Sequence, residues 1–382
     1  KNIENYSDDK LDDYYNRLYS SIKIRSSNVM NWVYLSSGWD SSAILAYLTK
    51  IKGNKKVSAL IARFKYSKSS GINNQFEVDR ASKLAKYFKV KIYIIDIDYT
   101  KKDFKLFWDK IKNNLKSNHL YVMNNYNYMQ LANFVKKKSK IKNVSIFNGE
   151  ISDGLHNFGF AQFASILEHP DYNFREYSDK MSSYFYGPTF FKEIINNRAD
   201  DDFIYQSFKT RHKNNVKDTK KLNLKQRKLY FLESFFCYKT RFPFINIEKS
   251  KMITKLGMIK FRKMINENYF SEISNKMSDK NIYSCLLNLY NSFHWQGGTV
   301  KGFTNASNYY SLSSEMPFWD TRLFDFLSKM PEHWGRGLDF NPTKYPLKWT
   351  LNNKIKYPID YQVGPHSYLY DIDPNWNADV DI

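Results

Sequence analysis

Apolar and polar residues follow two different periods along this chain. Leu11, Tyr14, Tyr15, Leu18 and Ile22 recur every three or four positions and predict an amphipathic helix over 8–22. Short apolar runs at 31–35, 57–64, 90–96 and 144–147 predict strands. Helical patterns at 40–50, 74–88, 103–115 and 123–138 separate them. Alternation of this kind implies an α/β fold, a doubly wound parallel sheet with helices on both faces. Beyond about residue 165 the pattern turns helical and aromatic, implying a mainly helical C-terminal part. The expected organisation is an N-terminal helical segment over 1–25 and an α/β domain over 26–168. A mainly helical part, 169–382, then completes the site.

In such sheets, ligands bind beyond the carboxyl ends of the strands. At the first of these ends the strand Trp32–Leu35 breaks into Ser36-Ser37-Gly38, and Trp39-Asp40-Ser41-Ser42 opens a helix. A strand turning sharply into a helix collects backbone N–H groups at one point and attracts anions, phosphate above all. Small residues let a phosphate approach the backbone, and Ser36, Ser37, Ser41 and Ser42 add hydroxyl donors. Asp40 is out of place in a pure anion site, and phosphate with Mg²⁺ accounts for it. An ordinary strand–turn–helix with a Ser/Asp cap is the other reading of the same residues.

A second polar turn follows the strand at 144–147, reading Asn148-Gly149-Glu150-Ile151-Ser152-Asp153-Gly154. Carboxylates beside a triphosphate need a bridging cation, which makes Asp153 a second metal candidate with Asp40. Glu150 is a candidate acid/base or amine-binding group. His156 is read either as structural or as lining an acceptor pocket. Arg63-Phe64, Asp96 and Asp98 also lie at expected strand ends. Glu77 and Asp79 suit a helix first turn whatever the function.

The order Leu-Ser-Ser-Gly-Trp-Asp-Ser-Ser resembles the pyrophosphate loop of the N-type ATP pyrophosphatases, the PP-loop superfamily. Within it, the synthetase domain of the asparagine synthetases carries Ser-Gly-Gly-x-Asp-Ser. Ser37 stands where that group has its first glycine. Gly149, Glu150, Ser152 and Asp153 match its Gly-Glu-Gly-Ser-Asp-Glu segment, with Ile151 and Gly154 as departures. Pro317, Phe318 and Asp320 match a later Pro-Phe-x-Asp, although Ser313 and Glu315 replace the family's Glu and Arg. Lys344-Tyr345-Pro346-Leu347-Lys348 resembles Lys-Tyr-x-Leu-Arg. The four matches keep the family's order over residues 31–348.

The resemblance implies an adenine nucleotide alpha hydrolase-like fold and an ATP- and Mg²⁺-dependent, amide-forming ligase. A carboxylate substrate would be adenylated, pyrophosphate released, and ammonia or an amine transferred. Leu35, Ser36, Ser37, Gly38, Asp40, Ser41, Ser42 and Gly149 would hold ATP and pyrophosphate, with Asp40 and Asp153 on the metal. Ala62 and Phe64 would flank adenine with Leu35. Lys344 would offset charge on the leaving pyrophosphate, with Lys348 in support, and Glu150 and Lys344 would be the catalytic pair. Only about 30 residues precede the loop, without the family's glutaminase cysteine. Nitrogen would then come from ammonia, an amine-bearing substrate, a separate glutaminase or a domain outside this chain.

Composition changes this picture little. Net charge is +21, which draws anionic substrates, but a Lys-, Asn-, Ile- and Tyr-rich bias also produces it. The basic stretch from Lys209 to Lys228 reads as a solvated face or as a contact surface for RNA or an acidic partner. An ATP-dependent tRNA-modifying enzyme of the same superfamily and a catalytically decayed scaffold are therefore the alternatives. Cys237 and Cys285 have no metal-type spacing and read as core thiols of a reducing compartment. No apolar run approaches a membrane span and the N-terminus shows no signal-peptide core, so a cytoplasmic location is expected. The aspartate-bearing stretch 360–382 is read as a shield for the basic body or a cap on the site.

Overall fold

The computed structural model describes residues 1–362 except 69–70, 121–122, 140–142, 159–174, 212, 214–215, 239–241 and 246–253. Most of the acidic C-terminal stretch therefore lies outside the described residues. In chain order the first elements are α1 (Asp9–Arg25), β1 (Met30–Tyr34), α2 (Trp39–Lys52), β2 (Val57–Lys65), α3 (Gln75–Tyr87), β3 (Lys91–Asp98), α4 (Lys102–Ser117), α5 (Met123–Lys138) and β4 (Val144–Phe147). Next come α6 (Ser152–Asn157), α7 (Arg175–Phe185), α8 (Pro188–Ile195), α9 (Phe203–Arg211), α10 (Leu224–Phe236), α11 (Lys255–Ile265), α12 (Ser271–Lys276) and α13 (Ile282–Leu289). A π-helical stretch, Tyr290–Val300, leads to α14 (Lys301–Tyr309), β5 (Ser313–Glu315), α15 (Thr321–Lys329) and α16 (Tyr345–Thr350).

The chain forms two compact units. One comprises Asp8–Ser152, Asn291–Leu323 and Pro346–Ile382; the other comprises Lys1–Ser7, Asp153–Tyr290 and Phe324–Tyr345. The first holds a five-stranded sheet in the order β3-β2-β1-β4-β5, every neighbouring pair parallel. From β1 the chain winds outward through β2 and β3, then returns to the other side through β4. This reversal between β1 and β4 is the switch point of a doubly wound sheet. Apolar runs suit strands covered on both faces: Trp32, Val33 and Tyr34, with Ala59 and Leu60, and Ile146 and Phe147, are all buried.

The expected strands and helices of the first 147 residues are present, each within a few residues of its expected limits. The strand β5 has no apolar signal; its register, Ser145 with Ser313 and Phe147 with Glu315, is set by pairing along β4.

An ionic clamp ties the C-terminal end of α1 to the segment before α15. Asp320 is buried and receives Arg25 at 2.9 Å and Arg322 at 2.7 Å, and Ser21 Oγ donates to the Pro317 carbonyl at 2.7 Å. Burial alone would raise the Asp320 carboxyl, but the hydrogen bonds from Arg322 and Arg25 overcome it and hold the group well below its ordinary value. A depressed carboxylate stabilises the fold above its unfolded pKa of about 4 and loses that contribution as pH falls toward the folded value. Asp320→Asn is therefore expected to lower stability at neutral pH and to flatten its fall below about pH 4. Urea unfolding at stepped pH checks this; equal acid sensitivity in the two proteins would refute it.

The second unit is helical and rich in rings. Phe185 packs edge-on to Phe190 and Phe208, and Tyr186 packs on Phe231 and Phe235. Cys237 is buried and Cys285 partly exposed. Among the described residues no helix is long and apolar enough to cross a membrane.

Candidate functional site

The carboxyl end of β1 forms a built turn. The Leu35 N–H donates to the Leu60 carbonyl at 2.9 Å, carrying the ladder one residue past β1. Ser37 then adopts φ +65°, and Gly38 is the N-cap of α2 without any side-chain cap. The first-turn N–H groups of a helix have no intrahelical acceptor. Here Gly38 brings none, so the positive end of α2 faces the turn uncapped by a side chain.

Hydroxyls fix the loop from inside. The Ser36 N–H donates to Ser41 Oγ at 3.1 Å, and the two hydroxyl oxygens are 3.1 Å apart. Ser42 Oγ donates to the Gly38 carbonyl at 2.6 Å. From the far end of the chain, Tyr357 Oη donates to Ser42 Oγ at 2.8 Å, and Gln362 Nε2 donates to the Ser37 carbonyl at 3.0 Å. Lys348 holds its ammonium 5.2 Å from the Trp39 ring centroid. Tyr357 and Gln362 escape sequence reading, because no motif surrounds them; Trp39 and Lys348 lie in motifs, but nothing there marks their pairing. Ser37 Oγ itself is buried and has no hydrogen-bond partner among the described residues.

The turn after β4 meets this loop. A Cβ on Gly149 would lie 2.7 Å from the Ser41 nitrogen and 3.1 Å from Asp40, so only glycine fits there. Ser152 Oγ, fully buried, donates to Asp40 Oδ1 at 2.6 Å. Glu150 accepts Tyr128 Oη at 2.8 Å, and its N–H donates to Asn148 Oδ1 at 3.0 Å. Burial, followed by the Glu150 charge, pushes the Tyr128 phenol well above its ordinary value, so it stays a hydrogen-bond donor.

Both departures from the glycine pattern sit on left-handed backbone: Ser37 at φ +65° and Ile151 at φ +77°. Such a conformation costs a non-glycine residue about 1–2 kcal/mol. Ser37→Gly is expected to stabilise the protein by up to ~1 kcal/mol, the relieved strain being partly offset by glycine's greater unfolded-state freedom. Denaturant unfolding checks this, and a clear loss of stability would refute it.

The residues expected around adenine are placed less suggestively. Leu35 and Ala62 are buried, and the Ala62 carbonyl accepts Asn74 Nδ2 at 2.9 Å. Phe64 stacks on Tyr66 with centroids 5.5 Å apart. Arg63 and Asp96, both at strand ends, bind each other at 2.6 and 3.0 Å across β2 and β3. This pairing holds the Asp96 carboxyl below its ordinary value.

In the helical unit, Asp153 forms an ion pair with Lys344. The Lys344 N–H also donates to Asn157 Oδ1 at 3.4 Å. Two residues that sequence reading assigns to different tasks, a metal and a phosphate, are thus each other's partners. His156 is fully buried. Three cations of the basic stretch have partners at home: Lys209 pairs with Asp200 at 2.6 Å, and Arg227 donates to the Leu222 and Ile195 carbonyls. Lys228 donates to the Met277 carbonyl at 2.7 Å. This favours a structural role for these cations.

No protein-family model and no curated protein sequence matches this chain. Among solved structures, it is similar to NMN synthetase from Francisella tularensis, at 15% identity over 40% of this chain and 61% of that one, with a TM-score of 0.27. It is also similar to U34-tRNA thiolase NcsA from Methanococcus maripaludis, a structure with its 4Fe-4S cluster. That likeness has 12% identity over 79% of this chain and 80% of that one, with a TM-score of 0.24. The chain thus spans about three fifths of the NMN synthetase. TM-scores this low establish no shared fold, and the functional reading rests on the chain's own geometry.

Proposed function

We propose that this chain is an ATP-dependent, amide-forming ligase of the asparagine synthetase-like kind. A substrate carboxylate oxygen bonds to the α-phosphorus of ATP while the α–β phosphoanhydride breaks, giving an acyl-adenylate and pyrophosphate. Ammonia or an amine then attacks the acyl carbon, and AMP leaves. The nitrogen comes from free ammonia, an amine-bearing substrate, a separate glutaminase or a domain outside this chain.

The observation that carries this reading is the turn between β1 and α2. It joins an uncapped helix N-terminus, a buried hydroxyl at Ser37 without a partner among the described residues, and a glycine that its own backbone and surroundings do not require. Gly38 has φ −70°, and the nearest atom to a Cβ there would be Ser36 Oγ at 3.7 Å. A small residue where packing tolerates a larger one suits close approach of a ligand to the backbone.

The donor set also fits Mg²⁺. Among the described residues no three His, Cys, Asp or Glu side chains converge. Mg²⁺ at nucleotide sites uses one or two carboxylates beside substrate phosphates and water, not an all-protein cage. Asp40 would hold it, and when bound it would spread the charge of the leaving pyrophosphate. The chain's own contribution is positioning: the α2 N-terminus and Ser36 orient phosphate oxygens, and Gly149 keeps the second turn close to Asp40. Glu150, held by Tyr128, is suited to receive an amine proton. Asp153 and Lys344 retain their sequence-based roles in this proposal.

The test is release of AMP across a library of metabolite carboxylates with ammonium and candidate amines. A carboxylate that drives AMP and pyrophosphate formation is the expected result. ADP and phosphate as products would refute it. Tight, steeply salt-dependent tRNA binding with tRNA-dependent AMP release would instead identify the RNA-modifying alternative.

A further inference from the structure

A cavity of about 530 Å³ lies between α10 and α11, built wholly from the helical unit. Lys217, Tyr230, Glu233, Tyr238, Ile259 and Arg262 line it. Its volume is in the range of small-molecule sites. Lys217 holds its ammonium 4.9 Å from the Tyr230 ring centroid. The Arg262 guanidinium lies 5.7 Å from the Tyr238 centroid and donates to that phenol. Neither cation is within ion-pair distance of a carboxylate among the described residues; the pair formed beside them joins Lys263 to Glu267 at 3.8 Å.

Glu233 is the buried carboxyl of the cavity, and Asn266 Nδ2 donates to it at 2.7 Å. Burial raises its proton affinity, against the opposing effects of Asn266, Arg262 and Lys217. Asn266 also turns a buried oxygen, without a hydrogen-bond partner among the described residues, toward this region. With Lys263 and Glu267 of the lining paired to each other, Lys217 and Arg262 against Glu233 leave positive charge in excess beside two tyrosine rings and an isoleucine wall.

We propose that this cavity binds an organic anion, a carboxylate or phosphate monoester carried on a flat ring. The anionic group meets Lys217 and Arg262, and the ring lies against Tyr230 and Ile259. Charge-assisted contacts fix the anion, and ring contact supplies the remaining affinity. The site is independent of the nucleotide reading, since none of its residues belongs to the loop.

Isothermal titration with phenyl phosphate, benzoate and inorganic phosphate tests this. At least one ring-borne anion is expected to bind, about tenfold or more tighter than inorganic phosphate. The tighter of the two identifies the anionic group. Lys217→Met and Tyr230→Leu are expected to weaken it about tenfold each, and Lys217→Arg, which keeps the charge, to retain it. Unfolding midpoints confirm that the variants fold. Absence of binding by both ring-borne anions, or the parent's affinity in Lys217→Met and in Tyr230→Leu, overturns the proposal.

Discussion

Asp40→Ala is expected to lower carboxylate-dependent ATP–pyrophosphate exchange by roughly 10³-fold, beyond any loss attributable to its stability. Asp40 stands in the first turn of α2, beside the N-terminus that would receive phosphate. A carboxylate there repels phosphate unless a cation lies between them, which is the role proposed for Mg²⁺. It also accepts Ser152 Oγ at 2.6 Å, a charge-assisted contact worth about 1.5–3 kcal/mol. Asp40→Asn separates the two roles. It keeps an oxygen for Ser152 but loses the charge, and is expected to fold like the parent while remaining inactive. Exchange that survives both substitutions would remove Asp40 from the site.

The largest stability effect is expected at Arg336, in the helical unit. Its guanidinium is fully buried and donates to three carbonyls, of His156 at 2.6 Å and of Leu327 and Leu155 at 2.7 Å. Its ζ carbon lies 4.5 Å from the Tyr283 centroid and 5.1 Å from that of Phe158. Burial pushes Arg336 down to about 10, still well above neutrality, so it remains a cation. Arg336→Ala would take the guanidinium donor from three carbonyls and leave a void between two rings. A loss of about 3–5 kcal/mol is expected in denaturant unfolding. Lysine would not rescue it, because one ammonium cannot reproduce a planar fork that both bridges carbonyls and stacks on rings. A loss below about 1 kcal/mol in Arg336→Ala would show that the site relaxes around the gap.

The central strands were readable because Trp32–Tyr34 and Ile146–Phe147 are apolar runs buried on both faces. The edge strand β5 was not, since Ser313-Ser314-Glu315 carries no period and exists as a strand through its pairing with β4. The loop was readable because its chemistry is local, within Ser36–Ser42. Its supports were not: Gln362 reaches Ser37 across 325 positions, and nothing in the residues near Gln362 marks that contact. Arg63 and Asp96 show what strand-end position alone leaves out. Both lie at strand ends, where ligand contacts are expected, but parallel register sets them directly opposite and they bind each other. Ser37 and Ile151 show backbone prevailing over side chain, because each takes the left-handed geometry suited to glycine and carries its strain.

Adenylation of a carboxylate is the claim on which the functional account stands, and isotope transfer tests it most directly. The carboxylate selected by AMP release would be supplied with ¹⁸O in both oxygens, and the nucleotide product examined by mass spectrometry. The account predicts one ¹⁸O in AMP, carried over when the acyl–oxygen bond breaks. Label in inorganic phosphate formed together with ADP, or none in AMP, would contradict it.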